Sequence, residues 1–188
     1  LNLGFIYQHL DQIADALIEY EEILKIEPFN EDALNNLGII FRDTNQSEES
    51  IKFYKKAIEA NPNYSGAYYN LAFTYQDIGQ IENAIENYEK SIALDHNPQS
   101  YHNLSYLKDF ENNGYHIKKM NEMLEQNNLP LSHQIQLSLA LAKSYEKLGM
   151  QDEFFEFLNK GNMLQKKESK YNFNHSRSYH NSIIKLFK

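Results

Sequence analysis

The sequence predicts an all-α fold, a solenoid of stacked antiparallel helix pairs, and three recurring features carry that prediction. A Leu followed directly by a small residue, with an aromatic residue three positions after the small one, recurs at intervals of 34 residues. A second small residue and then a tyrosine follow at fixed distances within each unit. Pro28 and Pro62 also stand 34 residues apart. A fixed period of this length indicates supersecondary units that each pack against their neighbours.

The first helix of a unit is clearest in the second unit. Apolar and small residues between positions 33 and 41 fall on one stripe of a helix. Asn45 follows at the place of a turn, where residue types that tolerate the left-handed conformation are favoured. Asp11, Gly79 and Gly149 occupy the equivalent place in other units. We therefore expect a helix to end in a turn at each of these positions.

The second helix of this unit is predicted from about Ser47 to Ala60. Asn61 and Pro62 end it, because a proline disfavours the helical conformation of the residue before it. Gly38 on the first helix and Ser50 on the second are small residues at the predicted crossing point. A larger side chain at either position would push the two helices apart.

The repeat pattern loosens in the second half of the chain. Ser132 is positioned to cap a helix whose centre, residues 137–142, is apolar nearly all round, which indicates burial on several sides. We predict three regular units over residues 1–97 and two degenerate units over residues 98–168. A capping helix over residues 169–188 would cover the last interface of the stack.

The pattern of small, aromatic and proline positions resembles the tetratricopeptide repeat family. The small residues Gly4, Gly38 and Ala72 carry the resemblance, together with Pro28 and Pro62. The resemblance implies a right-handed superhelix that binds a protein or peptide partner in its concave groove. It also implies that the chain performs no chemistry of its own and needs no cofactor.

Residues 99–188 resemble a narrower group, the repeat region that precedes the catalytic domain in bacterial sulfotransferases with tetratricopeptide repeats. The run 140–149, the phenylalanines that follow it and the pair Gly161-Asn162 carry this resemblance. In that family the sulfuryl-donor site lies in the following domain, so no catalytic residue is assigned here. Because Leu1 falls inside the first helix of a unit, we expect the chain to be part of a longer protein.

Composition and charge exclude several classes of function. The 188 residues include no Cys, which rules out disulfides and thiolate metal sites. The net charge of the chain is −8. Residues 1–142 hold 9 basic and 21 acidic side chains, an excess that argues against nucleic acid as the ligand. No apolar run approaches the roughly 20 residues of a membrane span. With no signal peptide in sight, we expect a cytoplasmic location.

The sequence also lacks the residue patterns of catalytic and metal sites. It contains no Gly-rich phosphate loop and no nucleophile motif. His175 and His180 are five residues apart and fall on different faces of a helix, so we predict no metal site. We expect this chain not to be an enzyme.

Four asparagines form the most specific candidate for a binding site. Asn2, Asn36, Asn70 and Asn103 each precede the recurring Leu by one residue. On stacked first helices they would form a ladder, and each amide offers a donor and an acceptor to a peptide backbone. This arrangement resembles the asparagine ladder in the repeat domain of O-linked N-acetylglucosamine transferases. The alternative is that Asn is simply common at this position of the repeat.

Aromatic residues near the ladder are candidates for the same groove. Tyr69, Phe73, Tyr106 and Phe110 would contact a ligand if exposed, or belong to the core if buried, and Tyr69 and Tyr106 are expected to be the more exposed. A carboxylate clamp, as in co-chaperones of the family, would need Lys or Arg on the groove. The corresponding positions hold Asn35, Tyr69, Asn70 and Phe73, so no clamp is predicted.

The sequence therefore predicts an interaction module that binds a partner in a concave groove, as the accessory arm of a larger protein. Two alternatives stay open. One makes the chain the accessory domain of a sulfotransferase whose catalytic domain lies beyond residue 188. The other makes it a self-associating structural scaffold. The sequence fixes neither the partner nor the oligomeric state.

Overall fold

A computed structural model describes residues 3–112 and 114–169, with side chains described from residue 13 onward. Within these ranges the chain forms nine α-helices and no strand, which confirms the all-α prediction. The helices are α1 Leu3–Ile26, α2 Glu31–Asp43, α3 Ser47–Ala60, α4 Ser65–Asp77, α5 Ile81–Asp95, α6 Pro98–Leu107, α7 Tyr115–Leu124, α8 Leu131–Lys147 and α9 Gln151–Glu168.

The chain divides into two compact units, residues 1–108 and 109–188. The boundaries predicted after residues 97 and 168 separate groups of helical repeats, which this division does not test, so they stay predictions. Apart from Ser169, the predicted capping helix lies outside the described residues.

The first compact unit contains the regular helix pairs that the period predicts. α2 packs against α3 and α4 against α5, and α3 also contacts α4. The turns within the pairs contain Asn45 at φ 60° and Gly79 at φ 77°, so both predicted left-handed residues are confirmed. α3 spans the predicted residues and ends at Ala60, because the backbone of Asn61 is extended before Pro62.

The turn predicted at Asp11 is wrong, because α1 continues without interruption through that position for 24 residues. Residues 5–27 contain neither Gly nor Pro. Those are the residue types that most readily end a helix, and nothing else in this segment forces a turn. Asp11 tolerates the left-handed conformation but does not impose it, so the first unit lacks a helix pair.

The helices of each regular pair cross at small residues. Ser50, Ala72 and Ala84 are fully buried. At Gly38 an added Cβ would lie 2.5 Å from Cε1 of Tyr54, whose side chain is itself 0 % exposed. The tyrosine ring thus occupies the space that any side chain at position 38 would need.

In the second compact unit, α8 packs against both α7 and α9. It buries eight of its residues, as its apolar sequence predicts. α8 begins at Leu131, two residues earlier than a cap at Ser132 would allow, and the extended Pro130 stands at the cap position. Gly149, at φ 72°, ends α8 in a left-handed turn as predicted.

We expect the substitution Gly38→Ala to destabilise the fold. Overpacking of a tight crossing costs about 1–3 kcal/mol, which exceeds the roughly 0.5–1 kcal/mol gained by replacing Gly with Ala inside a helix. Urea unfolding followed by circular dichroism measures the difference. Gly66→Ala is the matched control, because its Cβ would lie 3.3 Å from the ring of the half-buried Tyr64. Equal stability losses in the two variants would contradict the packing account.

We also expect unfolding to be less than fully cooperative within the second compact unit. α7 has 10 residues and packs on α8, whereas α8 has 17 residues and is packed between α7 and α9. Stability in stacked helices is a sum of neighbour interactions, so the amide protons of α7 should exchange faster than those of α8. Native-state hydrogen exchange read by mass spectrometry measures this, and equal protection of both helices would rule it out.

Candidate functional site

The candidate site is one face of the first compact unit, formed by the first helices α2, α4 and α6. We call it the first-helix face. Direct contacts hold α2 against α4: Asn70 Nδ2 donates to Asn35 Oδ1 at 2.9 Å, and the Arg42 guanidinium lies 5.4 Å from the centroid of the Phe73 ring. The side chains of this face used below are Asp32, Asn35, Asn36, Arg42, Asp43, Tyr69, Asn70, Phe73, Asp77, His102, Asn103 and Tyr106.

Two of the predicted ladder asparagines bond to other residues of the protein. Asn70 donates to Asn35, and Asn103 Nδ2 donates to the hydroxyl of Tyr88 on α5 at 2.9 Å. Asn36 is half-buried on α2. Asn2 lies outside the described residues. The bonds that the structure gives for Asn70 and Asn103 thus tie each of them to a neighbouring helix.

The contact of Asn103 reaches the core through Tyr88. That side chain is 0 % exposed, and its hydroxyl also donates to Gln76 Oε1 at 2.9 Å. Burial raises the pKa of Tyr88, so the phenol is protonated at neutral pH. The bonds satisfy both the donor and an acceptor position of a buried hydroxyl. Neither Gln76 nor Asn35 was singled out as a partner by the sequence.

The aromatic candidates have different environments. Tyr69 is half-buried, with its ring 6.4 Å from Phe73 and 5.9 Å from Tyr88. Burial raises the pKa of Tyr69. Tyr106 is 53 % exposed, and its ring makes an edge contact with His102 at 5.3 Å. Tyr106 is therefore the aromatic side chain of this face that is most open to a ligand.

Phe110 does not belong to this face. It is 4 % exposed and stacks on His116, at 4.7 Å, within the second compact unit. Of the two environments that the sequence leaves open for Phe110, the structure shows the buried one. Its position three residues beyond the end of α6 removes it from the helix that carries Tyr106.

One cation lies on the first-helix face, and the sequence did not single it out. Arg42 donates to Asp43 Oδ1 from Nη2 at 2.9 Å and from Nε at 3.1 Å. His102 carries no charge at neutral pH, because burial lowers its pKa. A single arginine already paired with a carboxylate does not form a carboxylate clamp.

In the part of the chain for which the structure gives side chains, no three His, Asp or Glu residues come together as metal ligands. A search of the described helices for one long and apolar enough to cross a membrane finds none. The first-helix face instead presents amides and aromatic rings, groups that bind by hydrogen bonding and contact area.

Several solved structures are similar in fold to this chain, and two of those described here are named as repeat proteins. The crystal structure of MamA matches with a TM-score of 0.59 and 23 % identity, over 91 % of this chain and 99 % of that one. A tetratricopeptide repeat protein from Parabacteroides merdae matches with a TM-score of 0.59 and 19 % identity, over 88 % of this chain and 64 % of that one. Nearly identical TPR-like repeats from Podosopora anserina match at 0.55 and 17 %, over 90 % and 94 %. These likenesses confirm the helical-repeat fold.

A search among curated protein sequences found no match. Three family models, each described as a tetratricopeptide repeat, match residues 1–30, 31–64 and 53–86. The first match covers α1, so the repeat signature is present there although the helix does not turn at Asp11. These matches confirm the tetratricopeptide repeat signature within residues 1–86 of this chain.

Proposed function

We propose that this chain is an interaction module that binds an extended peptide segment of a partner protein on the first-helix face. The observation that carries the proposal is the set of half-buried and exposed amide and aromatic side chains on adjacent first helices. Asn36, Tyr69 and Asn70 are half-buried, and Tyr106 is more than half exposed. Repeat stacks of this kind present such surfaces to partners. The chain would act as the accessory arm of a larger protein, and its cytoplasmic location stays a prediction.

Binding on this face would combine two kinds of contact. An asparagine amide can both donate to and accept from a peptide group, which recognises the backbone whatever its sequence. The aromatic rings would supply rigid contact area at a low cost in side-chain entropy. The intramolecular bonds of Asn70 and Asn103 hold these side chains in place, which lowers the ordering cost of binding.

We expect Asn36→Ala to weaken peptide binding without changing the stability of the fold. Its amide can make about two hydrogen bonds to a peptide, worth about 0.5–1.5 kcal/mol each. Asn70→Ala should weaken binding and also destabilise the fold by about 1–3 kcal/mol, because the buried Asn35 loses its hydrogen-bond donor.

Both variants can be tested with a peptide selected on the wild-type chain from a random display library. Calorimetric titration measures affinity, and urea unfolding measures stability. Asn83→Ala is the control, because Asn83 is an exposed asparagine on α5 that bonds to Gln80. Unchanged affinity in folded Asn36→Ala would show that Asn is simply common at this position of the repeat and does not bind the peptide. Failure to select any peptide would overturn the proposed function.

A second proposal makes the chain the accessory domain of a sulfotransferase. It rests on the sequence resemblance of residues 99–188. Packing gives an independent reason for Gly161, the most distinctive residue of that resemblance: an added Cβ would lie 2.8 Å from Cδ2 of Leu139 on α8. Sequencing of the native transcript beyond residue 188 is the test. A following domain without a sulfuryl-donor site would exclude this proposal.

A third proposal, self-association as a scaffold, is favoured by exposed apolar side chains near the end of α1. Ile18, Ile26 and Phe29 are 56 %, 83 % and 78 % exposed. Large exposed apolar residues that lie together often mark an interface. Sedimentation equilibrium of the wild type and of Phe29→Glu decides the matter, and a monomer at all concentrations would exclude it.

A further inference from the structure

We propose that the first-helix face selects a cationic peptide segment, one that carries Lys or Arg side chains. The inference rests on the proposed function and adds the chemistry of the partner. It follows from where the charges of the first compact unit lie, which of them are paired, and which aromatic rings the first-helix face carries.

The basic side chains of this unit are almost all placed away from the first-helix face. Residues 1–108 hold 7 Lys and Arg and 17 Asp and Glu, a net charge of −10. Among α2, α4 and α6, only α2 contains a basic residue, Arg42. The other six lie on α1, α3 and α5 or just after α6: Lys25, Lys52, Lys55, Lys56, Lys90 and Lys108.

The single cation of the face is already neutralised. The guanidinium of Arg42 makes two hydrogen bonds to Asp43, and the side chain is only 22 % exposed. It therefore offers little attraction to a carboxylate of a partner. An acidic peptide would also be repelled by the −10 charge of the unit around it.

Carboxylates of the face remain open to a partner. Asp32, at the start of α2, is exposed and accepts a hydrogen bond from the Tyr64 hydroxyl at 2.8 Å. The side chain of Asp43 is 55 % exposed although it is paired with Arg42, and Asp77 is exposed at the end of α4. These three acidic groups lie along two neighbouring first helices, so an extended peptide can place cations near more than one of them.

The aromatic rings of the face add a second preference for cations. Arg42 already lies over the Phe73 ring at 5.4 Å, which shows that a guanidinium fits against this face. Tyr106, 53 % exposed, presents a further ring on α6. Cations of the partner thus gain from ring faces as well as from carboxylates, whereas neutral or acidic side chains gain from neither.

The test is selection of peptides from a random library on the full chain, followed by fluorescence anisotropy with the selected peptide as the probe. We expect the selected peptides to be enriched in Lys and Arg, and their affinity to fall at high salt. The double variant Asp43→Asn, Asp77→Asn should weaken binding by about tenfold. Arg42→Gln should strengthen it, because the substitution removes the only positive charge of the face and frees Asp43.

A matched control carries the same change of charge elsewhere. Glu48→Gln with Glu82→Gln replaces two exposed carboxylates on the second helices α3 and α5. Its affinity should stay near that of the wild type, and an equal loss in both double variants would overturn the inference. Selection of neutral or acidic peptides would also overturn it while leaving the proposed function intact. Failure to select any peptide would overturn both.

Discussion

The stack depends on one packing contact, the close approach of a tyrosine on the second helix to a small residue on the first. Tyr54 fills the space in front of Gly38. Tyr88 and Ala72 stand 34 residues after Tyr54 and Gly38 in the sequence, and both are 0 % exposed. A large ring against a small residue sets the distance between the two helices of a pair. The same contact also decides where the adjoining first helix can lie, because its side chains must pack over the same ring.

Each buried tyrosine brings a hydroxyl into the core, and the hydrogen bonding of that hydroxyl differs between the two regular repeats. The hydroxyl of Tyr88 is bonded to Gln76 and Asn103. For the hydroxyl of Tyr54, by contrast, the described residues offer no hydrogen bond of acceptable geometry. A buried polar group is costly unless it is paired. Asn103 therefore contacts the core while it lies on the first-helix face, and the proposed binding surface is continuous with the packing that supports it.

The sequence predicts those features that repeat along the chain. It fails where one residue determines whether a helix ends or which side chain it bonds to. Periodicity fixes α2 to α5, because apolar stripes recur every unit, and Asn45 and Gly79 turn as predicted. It fails at Asp11, since a repeat register cannot tell whether one residue will break a helix. It also misses Asn35 as the partner of Asn70, because that bond joins side chains from two different units. Such partners depend on how units stack, which no pattern within one unit records.

Repetition also constrains the kind of ligand that the face can bind. A reaction centre needs several different groups converging on one point within hydrogen-bond reach. Stacked first helices instead place the same type of side chain at successive steps, as Asn36 and Asn70 show. A chain molecule with a repeating backbone matches such spacing, because each unit of the protein can meet another of its peptide groups. Contacts to cationic side chains between those steps would then choose among peptides that the amides alone cannot distinguish.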